Sequence, residues 1–227
     1  MRTKILLSLI LLSFVMVKPL WAQENHHKKE HGEKSANEYM HQSSVDRLVK
    51  HFESPERDAY QQPEKVMAYL GDLNGKKVMD IGAGSGYFSV KLAGKGAEVI
   101  AADVNDEFQE HLKQRIQSEN LKNIELRKIP YDSPGLKDGE VDLVFLVNTY
   151  HHIENRVDYF AKVKKGLKTN GEIVIIDYFK TEDLPVGPPF NHKLSMDVAV
   201  TELKKAGFTS IEVDVNLLPY QYIIKVK

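Results

Sequence analysis

The stretch from Val78 to Phe88, Val-Met-Asp-Ile-Gly-Ala-Gly-Ser-Gly-Tyr-Phe, concentrates groups able to hold a small ligand. A short apolar run ends in Asp80, and Gly82, Gly84 and Gly86 follow at every second position, with Ala83 between the first two. Glycines in that pattern accept positive φ and put no Cβ between the backbone and a ligand, so a bound molecule can approach closely. Asp103 closes the run Val99-Ile-Ala-Ala and is followed by Val104. A carboxylate about 20 residues past such a turn can accept hydrogen bonds from both hydroxyls of a ribose. Each charge-assisted bond contributes roughly 1.5–3 kcal/mol. Further on, Val147-Asn-Thr-Tyr-His-His152 sets Asn148 beside two imidazoles, and His151 or His152 can take a proton near neutral pH.

Alternating elements must position these groups. Lys77–Ile81, Glu98–Ala102, Ile124–Arg127, Val141–Asn148 and Glu172–Asp177 are β-branched or apolar runs of strand length, and 87–93, 106–118 and 156–167 read as helices between them. The alternation predicts a mostly parallel, doubly wound α/β sheet covered on both faces. A polar, Pro-rich loop follows Asp177, then a helix over 196–206 and two closing strands, 210–215 and 220–226, which make a hairpin. Ligands of such sheets bind at the carboxyl ends of the strands, where Asp80, Asp103 and Asn148 fall.

Ahead of the sheet, Val45, Leu48, Val49 and Phe52 recur at helical spacing after Ser44. A polar linker from Ser54 to Pro63 and a second short helix follow, so residues 44–72 read as a lid and 73–227 as the ligand-binding domain. Residues 1–22 combine a basic start, an apolar run from Ile5 to Val17 and Ala22, the pattern of a cleaved export signal. Residues 23–43, with His26, His27, His31 and His41 among lysines and glutamates, lack the apolar residues that would order them. The expectation is an exported, periplasmic or envelope-associated protein, with no membrane span once the signal is removed and an N-terminal anchor if it is not. The chain has 227 residues, a net charge of −1 and no cysteine. This excludes thiol catalysis and gives no basic footprint for nucleic acid.

The spacing is G-x-G-x-G, and Tyr87 stands where a dinucleotide-binding turn would place its last glycine. With Asp80 ahead of it, the segment resembles motif I of the class I S-adenosylmethionine-dependent methyltransferases. The terminal hairpin and the Asn148-to-His152 turn are similar to the small-molecule branch that includes ubiquinone- and menaquinone-biosynthesis methyltransferases. The resemblance covers roughly residues 75–227. It implies a Rossmann-like fold, S-adenosylmethionine as cofactor, no required metal and a small-molecule acceptor. It also implies roles for particular residues. Asp80 and the turn (Gly82, Ala83, Gly84, Gly86) hold the amino-acid part, Asp103 holds the ribose, Asp132 contacts the adenine amino group, and Val104 and Asn148 also bind the cofactor. The stretch from Asn148 to His152 lines the cleft between cofactor and acceptor, with His151 or His152 serving as base. Arg57, Tyr60 and Gln61 lie where N-terminal residues of the family close over the cofactor. Two other readings fit parts of the sequence: a non-catalytic envelope protein binding a nucleoside-like ligand or metal on this fold, and a nicotinamide-dependent oxidoreductase.

Overall fold

The computed structural model describes residues 43–182 and 184–227. The expected export signal and the histidine-rich segment up to residue 42 lie outside the described residues. Three short helices come first: α1 (Val45–Phe52), α2 (Pro55–Gln61) and α3 (Pro63–Leu70). The expected linker between Ser54 and Pro63 is therefore mostly helical. Pro55 occupies the start of α2, where a missing N–H costs nothing, and Glu56 and Asp58 in the first turn suit the helix dipole. Polarity hid this helix, because it buries only Gln61.

The remaining order is β1 (Lys77–Ile81), α4 (Tyr87–Gly94), β2 (Glu98–Asp103), α5 (Asp106–Ser118), β3 (Ile124–Lys128), β4 (Val141–Val147), α6 (Arg156–Gly166), β5 (Leu167–Tyr178), α7 (Met196–Lys205), β6 (Ile211–Asp214) and β7 (Gln221–Val226). Single 3-10 turns occupy Tyr150–His152 and Phe190–His192. The seven strands run in the order β3-β2-β1-β4-β5-β7-β6. β1 to β5 are parallel, and β7 is antiparallel to both β5 and β6, giving the expected terminal hairpin. Strand order reverses between β1 and β4, which opens a crevice at their carboxyl ends. β5 starts at Leu167 rather than Glu172, and its register with β4 shifts between Val141 and Leu143. That irregular, half-exposed beginning carries no apolar alternation by which the sequence could announce it.

Side chains of the strands alternate between two apolar layers, as a period of two requires. Met79, Ile100, Val144, Leu146, Ile173 and Ile175 face the layer under α6 and α7. Val78, Val99, Leu143, Phe145, Val174 and Ile176 face the opposite layer. There Val66, Met67 and Leu70 of α3 pack with Phe88 and Leu92 of α4, all nearly inaccessible. Burying such a side chain contributes roughly 1.5–3 kcal/mol. α3 is thus part of the domain core, and the covering function expected of residues 44–72 falls to α1 and α2. Among the described residues no helix is long and apolar enough to cross a membrane.

Gly86, the cap of α4, has φ of +83°, and a Cβ there would lie 2.3 Å from Leu112 Cδ1 on α5. Gly86→Ala is expected to cost roughly 1–3 kcal/mol of unfolding free energy in urea titrations. Adding Leu112→Ala should give a double variant less destabilised than the sum of the two single changes. Strict additivity would show that this contact does not constrain the turn.

Candidate functional site

The turn after β1 is anchored mainly by β2. Gly82 N–H and Ala83 N–H both donate to Ala102 O, at 2.8 and 3.1 Å. Gly84 N–H donates to Asp103 Oδ2 at 2.9 Å, and Gly86 N–H returns to Ala83 O. These donors are engaged within the protein, so the turn is poorly equipped to cradle a pyrophosphate, and a nicotinamide dinucleotide fits it badly. The glycines also serve packing. A Cβ on Gly82 would meet Thr149 Oγ1 at 2.3 Å and one on Gly86 would meet Leu112, so these two make room for neighbouring elements, whereas Gly84 leaves an ordinary 3.6 Å distance to the Phe52 ring and lines the cavity.

Around this turn lies a cavity of about 430 Å³, within the range of small-molecule sites. Of the residues singled out from sequence, Asp80, Gly82, Ala83, Gly84, Asp103 and Val104 line it on one side. Asn148, His151 and His152 line it on the other. Gly86 lies behind the wall as a packing residue. Asp132 is exposed and outside the wall, with its carbonyl accepting from Lys162 Nζ at 2.7 Å. Its neighbour Tyr131 lines the cavity instead. Only the local geometry of a Pro- and Gly-bounded turn decides between these two. Arg57 and Tyr60 of α2 also line the cavity, whereas Gln61 is fully buried.

Two buried carboxylates face the space. Asp103 Oδ1 accepts from Asn105 N–H at 2.9 Å, Oδ2 holds the turn, and Val104 N–H also points at the carboxylate, which keeps acceptor capacity for a ligand. Burial raises its pKa against the pull of those backbone N–H groups. Asp80 accepts from Ser89 Oγ at 2.7 Å. Burial pushes its pKa up to about 6, opposed by the Ser89 bond and by Arg57, and the Asp103 charge adds to the rise. The Arg57 guanidinium lies 4.1 Å from the centroid of the Tyr87 ring and donates through Nη1 to Phe52 O. Its Nε is buried without a hydrogen-bond partner.

At the opposite end, His151 Nδ1 sits 2.9 Å from both carboxylate oxygens of Asp177, and His151 N–H donates to the same group at 3.2 Å. Asp177 is buried at the end of β5 and also accepts from Tyr178 N–H. A hydrogen bond from Nδ1–H to the Asp177 carboxylate would leave Nε2 as the acceptor atom facing away from it. The His152 ring stacks at 4.3 Å from that of His151. Burial, then the neighbouring His151, hold its pKa down to about 3. His151 is therefore the better-placed base of the two. The Asp177 partnership is invisible in the sequence because 26 residues separate the pair. Between the ends, Gln221 Nε2 donates to Asn148 Oδ1 at 2.5 Å, and Gln61 Nε2 donates to Gln221 Oε1 at 2.9 Å. The Pro-rich loop after β5 supplies Gly187, Pro188 and His192 to the wall. The last hairpin acts only from behind, through Gln221.

The raised pKa of Asp80 gives a testable pH dependence. Between its ordinary value of 3.8 and about 6, the folded protein binds more protons than the unfolded chain, so this group lowers stability as pH rises through that window. Asp80→Asn is expected to flatten the fall and to gain roughly 1–3 kcal/mol at pH 7 in urea unfolding without ligand. An unchanged slope between pH 4 and 6 would mean that Asp80 ionises normally in the fold.

Comparison with known proteins agrees with this geometry. The family profile described as a methyltransferase domain matches residues 79–175. The ubiquinone biosynthesis O-methyltransferase of Acinetobacter baumannii is 29% identical over 104 residues, 45% of this chain and 44% of that protein. The tRNA U34 carboxymethyltransferase of Pseudoalteromonas translucida is 29% identical over 114 residues, 49% of this chain and 35% of that protein. The chain thus spans less than half the length of these curated relatives. Among solved structures, a SAM-dependent methyltransferase from Aquifex aeolicus superposes with a TM-score of 0.74 at 26% identity, covering 81% of this chain and 98% of that one. A Haemonchus contortus N-methyltransferase solved with S-adenosylhomocysteine shares the fold, with a TM-score of 0.58 at 20% identity over 68% of this chain and 38% of its own. By its sheet order, its turn and these likenesses, the chain has the fold of the class I S-adenosylmethionine-dependent methyltransferases, with a methyltransferase domain matched over residues 79–175.

Proposed function

We propose that this protein transfers the methyl group of S-adenosylmethionine to a small-molecule acceptor, using His151 as the base. One observation carries the reading: three side chains around a single turn each lack a partner that this cofactor possesses. Asp80 is a buried carboxylate short of cationic partners and would hold the α-ammonium group. Arg57 has a buried, unpaired Nε and would hold the α-carboxylate. Asp103 is a buried carboxylate with acceptor capacity left beyond its backbone donors and would accept from the ribose hydroxyls. Phe108, Phe52 and Tyr131 offer apolar surface on the same side for a base ring. When bound, the cofactor supplies a methyl group activated by a positively charged sulfur.

The remaining work falls to the chain's own groups. His151 Nε2 receives the proton of the acceptor, and Asp177 stabilises the imidazolium that results. Such a base contributes typically 10²–10⁴-fold. Holding the acceptor in line and excluding water contribute more, about 7–11 kcal/mol for well-oriented reactants. α1 and α2 supply the exclusion by covering the turn. An exported location remains part of the proposal, supported by the basic-then-apolar pattern of residues 1–22. A non-catalytic role would appear as tight binding of S-adenosylhomocysteine with no transfer to any acceptor; the buried His151–Asp177 pair favours the enzyme.

Asp103→Ala is expected to weaken S-adenosylhomocysteine binding by roughly 100-fold or more in calorimetry, since two charge-assisted bonds are lost. Far-ultraviolet circular dichroism should show the fold retained, and unchanged affinity would refute the ribose assignment. Binding is also expected to release a fraction of a proton near pH 6, because an ammonium beside Asp80 favours its ionised form. Calorimetry in buffers of different ionisation enthalpy reads this release, which should vanish in Asp80→Asn and at pH 8.

A further inference from the structure

We infer that the acceptor end of the cavity selects an electrically neutral, small weak acid, a molecule whose reactive hydroxyl or thiol is its only ionisable group. The inference rests on the methyltransferase reading and adds what the wall of the cavity says about its second occupant. Charge in this cavity is segregated along the strand order. Asp103 and Glu107 lie at the β2 end, Asp80 at β1, and Arg57 comes from α2 over the same turn. From the β4 end onward, among the described residues, no Lys, Arg, Asp or Glu lines the cavity. The wall there is made of Asn148, Thr149, Tyr178, Pro188 and the imidazoles of His151, His152 and His192.

Nearby charges are turned away from this space. Asp177 is 1% exposed and occupied by His151 and by Tyr178 N–H. Lys193 is buried and donates through Nζ to Thr181 O at 2.9 Å, while Lys180 reaches the Phe190 ring, 5.2 Å from its centroid. Gly187, at φ +100°, lays the Pro-rich loop against Tyr178; a Cβ there would come within 2.8 Å of that ring. Polar groups remain for neutral hydrogen bonding. Tyr178 Oη donates to Tyr60 Oη at 3.4 Å, and Asn148 Nδ2 donates to Tyr178 Oη at 3.4 Å. These long bonds leave capacity for a ligand oxygen.

An anionic acceptor placed here meets no fixed cation other than Arg57, which the cofactor carboxylate would engage, and a cationic one meets no facing carboxylate while lying near a positively charged sulfur. Either would be buried unpaired, which is the costly arrangement. A neutral acid avoids both costs and still gives up one proton to His151. The cavity of about 430 Å³ must hold cofactor and acceptor together, which keeps the acceptor small.

The test uses the full chain saturated with S-adenosylhomocysteine and two series that vary charge on one skeleton. The first is phenol, 4-hydroxybenzoate and tyramine; the second is 2-mercaptoethanol, 3-mercaptopropionate and cysteamine. Calorimetry or ligand-observed magnetic resonance reads binding, and methyl transfer from S-adenosylmethionine reads turnover. The neutral member of at least one series is expected to bind at least about tenfold tighter than its charged partners and to be methylated preferentially. Asn148→Asp should shift that preference toward tyramine and cysteamine. Equal or tighter binding of a charged member by the unaltered protein overturns the inference, as does binding of none of the six to protein that holds S-adenosylhomocysteine. Failure to bind S-adenosylhomocysteine at all would instead overturn the methyltransferase reading itself.

Discussion

The site depends on how the turn Gly82–Gly86 is closed. Asp103 takes the Gly84 N–H, Ala102 takes two more, and Thr149 and Leu112 occupy the volumes that side chains on Gly82 and Gly86 would need. The turn therefore locks the ends of β1, β2 and β4 and the flank of α5 into one arrangement. Asp103 both fixes this arrangement and faces the ligand, so positioning and recognition cannot be separated at that residue. The G-x-G-x-G spacing then follows from neighbour packing as much as from ligand approach. A turn whose donors are turned inward suits a ligand gripped by side chains rather than by a backbone nest.

Burying Asp80 and Asp103 beside the turn is costly, and only part of that cost is offset by Ser89, Arg57 and the backbone donors. A ligand bearing an ammonium group and two hydroxyls completes the hydrogen bonding that the protein leaves unfinished. Some stability of the free protein is thereby given up in favour of affinity. The acceptor end follows the opposite policy. Its one buried carboxylate, Asp177, is fully engaged by protein donors, and the groups left facing the cavity are neutral hydrogen-bonding ones. The two halves of the cavity are complementary to ligands of different charge.

Much of this was legible in the sequence because the signals are local. Period-two apolar runs located all seven strands, and Asp80, Asp103 and Asn148 stand at strand ends where an open α/β sheet exposes its ligand groups. The 106–118 helix matched to the residue, helped by Asn105, whose side chain accepts from Glu107 N–H and Phe108 N–H. What escaped was set by tertiary contact. α2 hid behind polar composition, and the beginning of β5 lacks alternation because it is half-exposed. Tyr131 rather than Asp132 faces the cavity through turn geometry that no composition encodes. The Asp177 partner of His151 and the Gln61–Gln221–Asn148 chain join residues 26 to 160 positions apart. Sequence periodicity carries no information about such pairs.

The covering helices show why the site can be both closed and accessible. α1 buries no residue fully and α2 buries only Gln61, whereas α3 is anchored by three apolar side chains. α1 and α2 are held instead by polar links at their edges. Glu53 Oε1 accepts from Ser85 Oγ and, at 2.9 Å, from Arg115 Nη1 on α5; Tyr87 Oη donates to Asp58; and Arg57 stacks on Tyr87. These links are part-buried and are joined by the Phe52 ring stacked on Phe108, whereas α3 is held by a fully buried apolar face. Between the two regimes stands Gln62 at φ +45°, a left-handed residue followed by Pro63. A segment with few buried apolar contacts sits at the low end of local unfolding free energy. The boundary at Gln62 therefore separates two short helices with little fully buried surface from an apolar core helix, and Arg57, which lines the cavity, lies on the less buried side.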